Sequence, residues 1–262
     1  MYRNGTRVGA IVMLVAGLGV AISGDLQGKV MTEVQPMKMA AAEALYDTEQ
    51  PAAFSVFTVG TLDGSKEKFA VKIPGLLSFL ATGSTHGEVV GINQLRAQYQ
   101  RTYGTDPGAA YYSGSGYTPL IPLTYWTFRL MIGLGLTAAA FGGWVLWATR
   151  RDRTQISRPL FWAAMSVPFL PLLANATGWI FTEMGRQPWA VFGLMTTAKA
   201  VSPGVSATDA FISLAVLTLL YAVLAVIEVR LMLTYIRRGA EALPPPPDEH
   251  DDTADRPLAF AY

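Results

Sequence analysis

Four stretches of this chain are long and apolar enough to leave water: Val8 to Gly24, Leu120 to Ala148, Pro159 to Phe181 and Ala210 to Tyr235. About 20 predominantly apolar residues in a helix cross the hydrocarbon core of a bilayer, where only helices or closed barrels satisfy their own backbone. The expected fold class is therefore an all-α integral membrane protein with four transmembrane helices. Between the first and second lies a large mixed loop. With charged residues at 15% of 262, the chain falls well below the roughly 25% of ordinary soluble domains. A cleaved signal peptide is the rival reading of the first stretch, because Arg3 and Arg7 precede a short apolar core and Ala21-Ile22-Ser23 fits a cleavage pattern. Gly17, Gly19 and Ala21 argue instead for a small-residue face packed against another helix.

Basic residues orient the spans. Arg150, Arg151, Arg153 and Arg158 fill the connection between the second and third, Arg3 and Arg7 precede the first, and Arg237 and Arg238 close the fourth. By the positive-inside rule all three positions are cytoplasmic, so the long loop and the end of the third span face outward. The expected parts are a first transmembrane helix at 1–24, an external loop at 25–119, a three-helix membrane region at 120–236 and a cytoplasmic tail at 237–262. Four consecutive prolines and a run of acidic residues make that tail read as disordered.

Several chemistries are excluded. Without cysteine there are no disulfides, iron–sulfur clusters or zinc–thiolate sites. The two histidines, His86 and His250, lie outside the apolar runs, so the chain itself supplies no intramembrane imidazole. A net charge of +1 offers no basic surface for nucleic acid.

Charges within or at the ends of the spans are the candidate site residues. Gly178 to Trp189 ends an apolar run in Glu183, Arg186 and Gln187, and Pro188 stops the helix just beyond. Glu183 and Arg186, three apart, share a helix face. Charge at that depth is a functional hypothesis by default, and an interfacial anchor with Trp189 is the plain alternative. Arg129 interrupts the second span. Met131, two residues on and roughly 200° around the helix, cannot share its face. A lone Met usually fills a core, while Gly133 and Gly135 leave room for a flat group or a close helix.

In the loop, Thr32 to Gln35 before Pro36 resembles a capping box, and Met37 to Leu45 is strong helix-forming sequence. Lys38 and Glu43 on that helix point about 140° apart, so no direct bridge between them is expected. Spacing alone leaves them as two solvated charges. Phe54 to Val59 and Phe69 to Ile73 read as strands around a Leu62-Asp63-Gly64-Ser65 turn, Leu76 to Ala81 is too short to span, and Tyr99 to Tyr117 reads as irregular chain.

Four motifs in order carry a resemblance: Gln35 to Glu43, Gly60 to Gly64, Arg129-Leu130-Met131 and Gly185-Arg186-Gln187-Pro188-Trp189. Together they resemble subunit I of the cytochrome bd quinol oxidases, over most of Asp25 to Pro203. The resemblance implies a plasma-membrane oxidase of bacteria or archaea that takes electrons from quinol outside and reduces dioxygen to water, with a low-spin haem b, a high-spin haem b and haem d. It makes the loop a quinol-binding loop in which Lys38 and Glu43 bind or deprotonate quinol. Met131 corresponds to the thioether ligand of the low-spin haem b iron, and Arg129 to a charge that stabilises that haem, at a propionate for example. Glu183 corresponds to the carboxylate at the high-spin haem b and haem d pair, open between an iron ligand and a nearby proton or charge group. Arg186, Gln187 and Trp189 would anchor propionates or shape that pocket.

Family members are about twice this length and carry their histidine ligands on earlier spans, so the chain reads as the second half of subunit I. The implied partners are the N-terminal half of subunit I, subunit II, small subunits, membrane quinol and the bilayer. The separation of Lys38 from Met131 matches the shorter of the family's loop types. Two other readings stand beside this one: a haem-free assembly or structural remnant, and an unrelated transporter with Arg129, Glu183 and Glu228 along a polar path.

Overall fold

The computed structural model describes residues 2–61, 66–105, 116–150 and 157–239. Residues 62–65, Arg151, Arg153, the middle of Tyr99 to Tyr117 and the tail beyond 239 lie outside the described residues, with the turn, disorder and positive-charge expectations that fall on them. The chain divides into two units, residues 1–201 and a second beginning at Ser202.

Helix α1 (Tyr2–Val34) runs ten residues past the expected end at Gly24. The reason is local: Asp25 does not stop it, because Lys29 one turn on takes its charge at 2.7 Å. The capping box expected at Thr32 to Gln35 does not form. Thr32 donates instead to the Gly28 carbonyl within α1, and Gln35 starts the next helix without a side-chain cap. Nor does the small-residue face at Gly17, Gly19 and Ala21 pack within this chain; those residues are exposed. The approach to a neighbouring helix is instead at Ala10 and Met13, against Gly142 of α5 (Ile121–Ala148). A side chain at Gly142 would meet the Met13 methyl at 2.8 Å.

Helix α2 (Pro36–Glu43) starts on proline, continues in Met, Lys, Ala and Glu, and ends at Ala44 in the left-handed conformation at φ 48°. Its alanines are completely buried. Strands β1 (Phe54–Gly60) and β2 (Glu67–Ile73) pair antiparallel as expected, with a register shift between Ser55 and Phe57. Two short helices follow, α3 (Leu76–Thr82) and α4 (Ile92–Tyr103). The second corrects the expectation of irregular chain from Tyr99: Ile92, Leu95 and Tyr99 fall on one buried helical face. The loop thus has cores of its own, one joining α2, α4, Tyr117, Ile121, Tyr125 and Trp189, the other joining Met39, Leu45, Leu77 and Val89.

Helix α5 packs on α1 and on α7 (Phe169–Gly185). The third span is interrupted: α6 (Arg158–Ser166) stops at a turn over Val167 and Pro168, and α7 resumes at Phe169. Pro168 and Pro171 each remove a helical N–H there. Beyond α7, β3 (Trp189–Val191) and β4 (Met195–Thr196) form a small hairpin. In the second unit, α8 (Ala207–Arg238) opens on a capping box between Ser206 and Asp209 and buries none of its residues. Among the described residues, four helical stretches are long and apolar enough to cross a membrane: Arg3–Val34, Ile121–Ala148, Arg158–Gly185 and Ala207–Arg238.

Candidate functional site

Helix α2 holds two of the expected site residues on different sides. Glu43, at its last turn, is only 3% exposed. It is not the solvated charge that spacing suggested. Arg129 of α5 donates to both of its oxygens, Nη1 to Oε1 at 3.2 Å and Nη2 to Oε2 at 2.5 Å. The Ser55 backbone N–H also favours the charged form of that carboxylate. Arg129 also gives its Nε–H to the Ser55 carbonyl at 2.9 Å, and its guanidinium lies over the Phe54 and Tyr125 rings at 4.5 and 4.9 Å. Burial pushes the Glu43 carboxyl up to about 7, with Arg129 pulling the other way.

Lys38, one and a half turns earlier, faces α7. Its stem crosses the bare backbone of Gly185, where a Cβ would sit 3.1 Å from Lys38 Cγ, and its ammonium stands 5.1 Å from the Phe181 ring centre. Burial lowers its pKa, opposed by the Glu183 charge and assisted by that of Arg186. As expected, no ion pair joins Lys38 to Glu43.

Glu183 and Arg186 meet as their spacing requires, Nη2 to Oε2 at 2.6 Å and Nε to Oε2 at 3.0 Å, with both side chains partly exposed. Arg186 also donates to the Ala190 carbonyl, while Gln187 donates to the Glu183 carbonyl and accepts from the Thr197 hydroxyl. Trp189 is buried, stacked on Tyr117 at 5.3 Å, and its indole N–H has no partner among the described residues. Lys38, Gln35, Arg186, Gln187 and Trp189 line one cleft of about 30 Å³. That is room for a water-sized group.

Met131 points away from Arg129. Its sulfur lies in the hollow over Gly178 of α7, where a Cβ would come within 2.8 Å of Sδ. Gly135, one turn on along the same face, meets no neighbour within the chain, nor does Gly133 on the far side. The thioether is a soft donor of the kind that haem iron accepts. Among the described residues no cluster of three His, Cys, Asp or Glu could hold a metal ion. The Arg129–Glu43–Ser55 arrangement is the part that residue spacing missed; only the intramembrane charge of Arg129 signalled it.

Comparison with known proteins supplies the family. The model for cytochrome bd terminal oxidase subunit I matches residues 1–240. The cytochrome bd ubiquinol oxidase subunit 1 of Bacillus subtilis is 38% identical, over 98% of this chain and 52% of its own length. The cytochrome bd-II ubiquinol oxidase subunit 1 of Escherichia coli is 30% identical, over 90% of this chain and 55% of its own. Among solved structures, the bd oxidase from Geobacillus thermodenitrificans superposes with a TM-score of 0.68 at 26% identity, covering 88% of this chain and 49% of that one. The chain spans about half the length of the curated relatives it matches, and it belongs to the cytochrome bd terminal oxidase subunit I family.

Proposed function

We propose that this chain forms the quinol-oxidising and haem-facing part of the catalytic subunit of a bd-type terminal oxidase, acting with the N-terminal half of subunit I, with subunit II and with small subunits. It lies in the plasma membrane with the α2 loop outside and the C-terminus in the cytoplasm, the orientation that the basic connections favour. One observation carries the reading: α2 sets Glu43 against Arg129 of one span and Lys38 against the Glu183–Arg186 end of another.

Oxidising a quinol to a quinone releases two protons and two electrons. Glu43, with its carboxyl lifted to about 7, is matched to accept a proton near neutral pH. Lys38 steadies the negative charge that grows on the quinol oxygen as that proton leaves. The Glu43–Arg129 pair keeps the carboxylate in place between turnovers. When bound, the haems supply the electron path and the centre at which dioxygen is reduced to water. Met131 would hold the low-spin haem b iron by its thioether, a soft ligand that favours reduced iron, and Arg129 would balance that haem's charge. Glu183, Arg186, Gln187 and Trp189 would border the high-spin haem b and haem d, with the free indole N–H of Trp189 offered to an acceptor.

The test uses the assembled oxidase. Glu43→Ala lowers quinol oxidation at least tenfold with the haem spectrum intact, and Lys38→Met does so chiefly through KM. Loss of haem from either variant, with normal membrane insertion, contradicts this division of labour.

A further inference from the structure

Ser55 of β1 touches both members of the Glu43–Arg129 pair through its backbone. Its backbone N–H acts on the Glu43 carboxylate, lowering that group's proton affinity, and its carbonyl accepts from Arg129 Nε at 2.9 Å. A residue so placed fixes the two groups relative to each other without itself being charged. What fixes Ser55 is its side chain. Its hydroxyl meets the Tyr125 hydroxyl at 2.9 Å and the Thr58 hydroxyl at 2.5 Å. All three residues are nearly inaccessible, at 1% for Ser55, 3% for Thr58 and 1% for Tyr125. Tyr125 is one helical turn before Arg129 on α5, and Arg129 lies across its ring. The register shift after Ser55 belongs to the same arrangement, because it brings Ser55 and Thr58, rather than Ser55 and Phe57, to the buried side of the hairpin.

We propose that Ser55, anchored by the Tyr125 and Thr58 hydroxyls, is a positioning residue that sets the proton affinity of Glu43 by holding the carboxylate and the Arg129 guanidinium together. This deepens the quinol-site reading and rests on it. The hydroxyl triad is costly to bury unless each member is bonded, and each is bonded to another here. Among the described residues, Arg129 is the charge that acts on the Glu43 carboxyl. Of the elements packed on α2, α1 keeps Lys29 on Asp25 and leaves Glu33 exposed, α5 contributes Arg129 and Tyr125, α4 keeps Arg96 on the Thr118 hydroxyl, and α7 presents Glu183 and Arg186 to Lys38. Loosening Ser55 therefore has one electrostatic consequence, a weaker hold of Arg129 on the carboxylate. Glu43 then binds its proton more tightly, and the pH at which it becomes a competent base rises.

The experiment measures quinol oxidation per haem against pH in the complete oxidase, for Tyr125→Phe, Ser55→Ala and Glu43→Gln. Tyr125→Phe removes one oxygen and keeps the ring under Arg129. The expected result is an acid limb displaced upward by half a pH unit or more in Tyr125→Phe and Ser55→Ala, with unchanged haem bands, and restored by Ser55→Thr. A purely structural role would reduce the amount of assembled oxidase and leave the profile per haem where it was, and that result overturns the proposal. Where Ser55→Ala does not assemble, Tyr125→Phe decides by the same criterion. Glu43→Gln separates the two levels: an acid limb that survives in Glu43→Gln overturns the quinol-site reading itself. An acid limb lost in Glu43→Gln but unmoved in Tyr125→Phe overturns the positioning role alone.

Discussion

Arg129 and Glu43 stand 86 positions apart in the chain and share two hydrogen bonds inside the protein. Removing one partner of such a pair leaves the other charge buried and alone, at a cost of about 3–5 kcal/mol. Arg129→Ala is therefore expected to lower the thermal stability of the assembled protein sharply, and Arg129→Ala with Glu43→Gln to recover part of the loss. Glu43 also sets a direction with pH. Its carboxyl is raised from 4.5 to about 7, so the fold favours the protonated form. That contribution is complete below about pH 4.5 and fades as pH rises through about 7. Thermal unfolding of Glu43→Gln should lose this dependence between those limits. Spacing within a helix sufficed to part Lys38 from Glu43, Arg129 from Met131, and to join Glu183 to Arg186. It could not join Glu43 to Arg129, because that contact exists only once α2 lies across α5.

At the scale of elements, strand positions and the bounds of the second and fourth spans were legible because apolar runs of characteristic length announce them. The continuation of α1 past Asp25 was hidden, since a salt bridge one turn apart neutralises a residue that reads as a stop. The helix α4 carried a visible signal, Ile92, Leu95 and Tyr99 at i, i+3 and i+7 behind Gly91. Gly91 itself is held by closeness: a Cβ there would lie 2.3 Å from the Asp47 carbonyl carbon. Gly91→Ala should thus cost on the order of 1–3 kcal/mol, read as a lower unfolding midpoint, whereas Gly17→Ala, which meets nothing within 4 Å, should not destabilise the protein. The α5–α7 contact makes a spectroscopic prediction. Gly178→Leu drives a side chain into the position of the Met131 sulfur and should weaken or shift the low-spin haem b band of the assembled oxidase.

Across the first unit, the three candidate spans leave most of their apolar surface uncovered. At most 17% of the residues in the most apolar window of each of these three spans are buried within the chain. Apolar surface of that extent belongs against lipid or further helices. The chain spans about half of its curated relatives, and on the proposed reading Met131 supplies one ligand of a haem site whose imidazole does not come from this chain's apolar runs. The central claim is that Met131 faces a low-spin haem b there. The most direct measurement is the reduced-minus-oxidised spectrum of membranes containing the complete oxidase, with and without Met131→Leu. The account predicts that the low-spin haem b band is lost or displaced while the remaining haem bands persist. An unchanged low-spin band in Met131→Leu, at equal amounts of assembled protein, would contradict it.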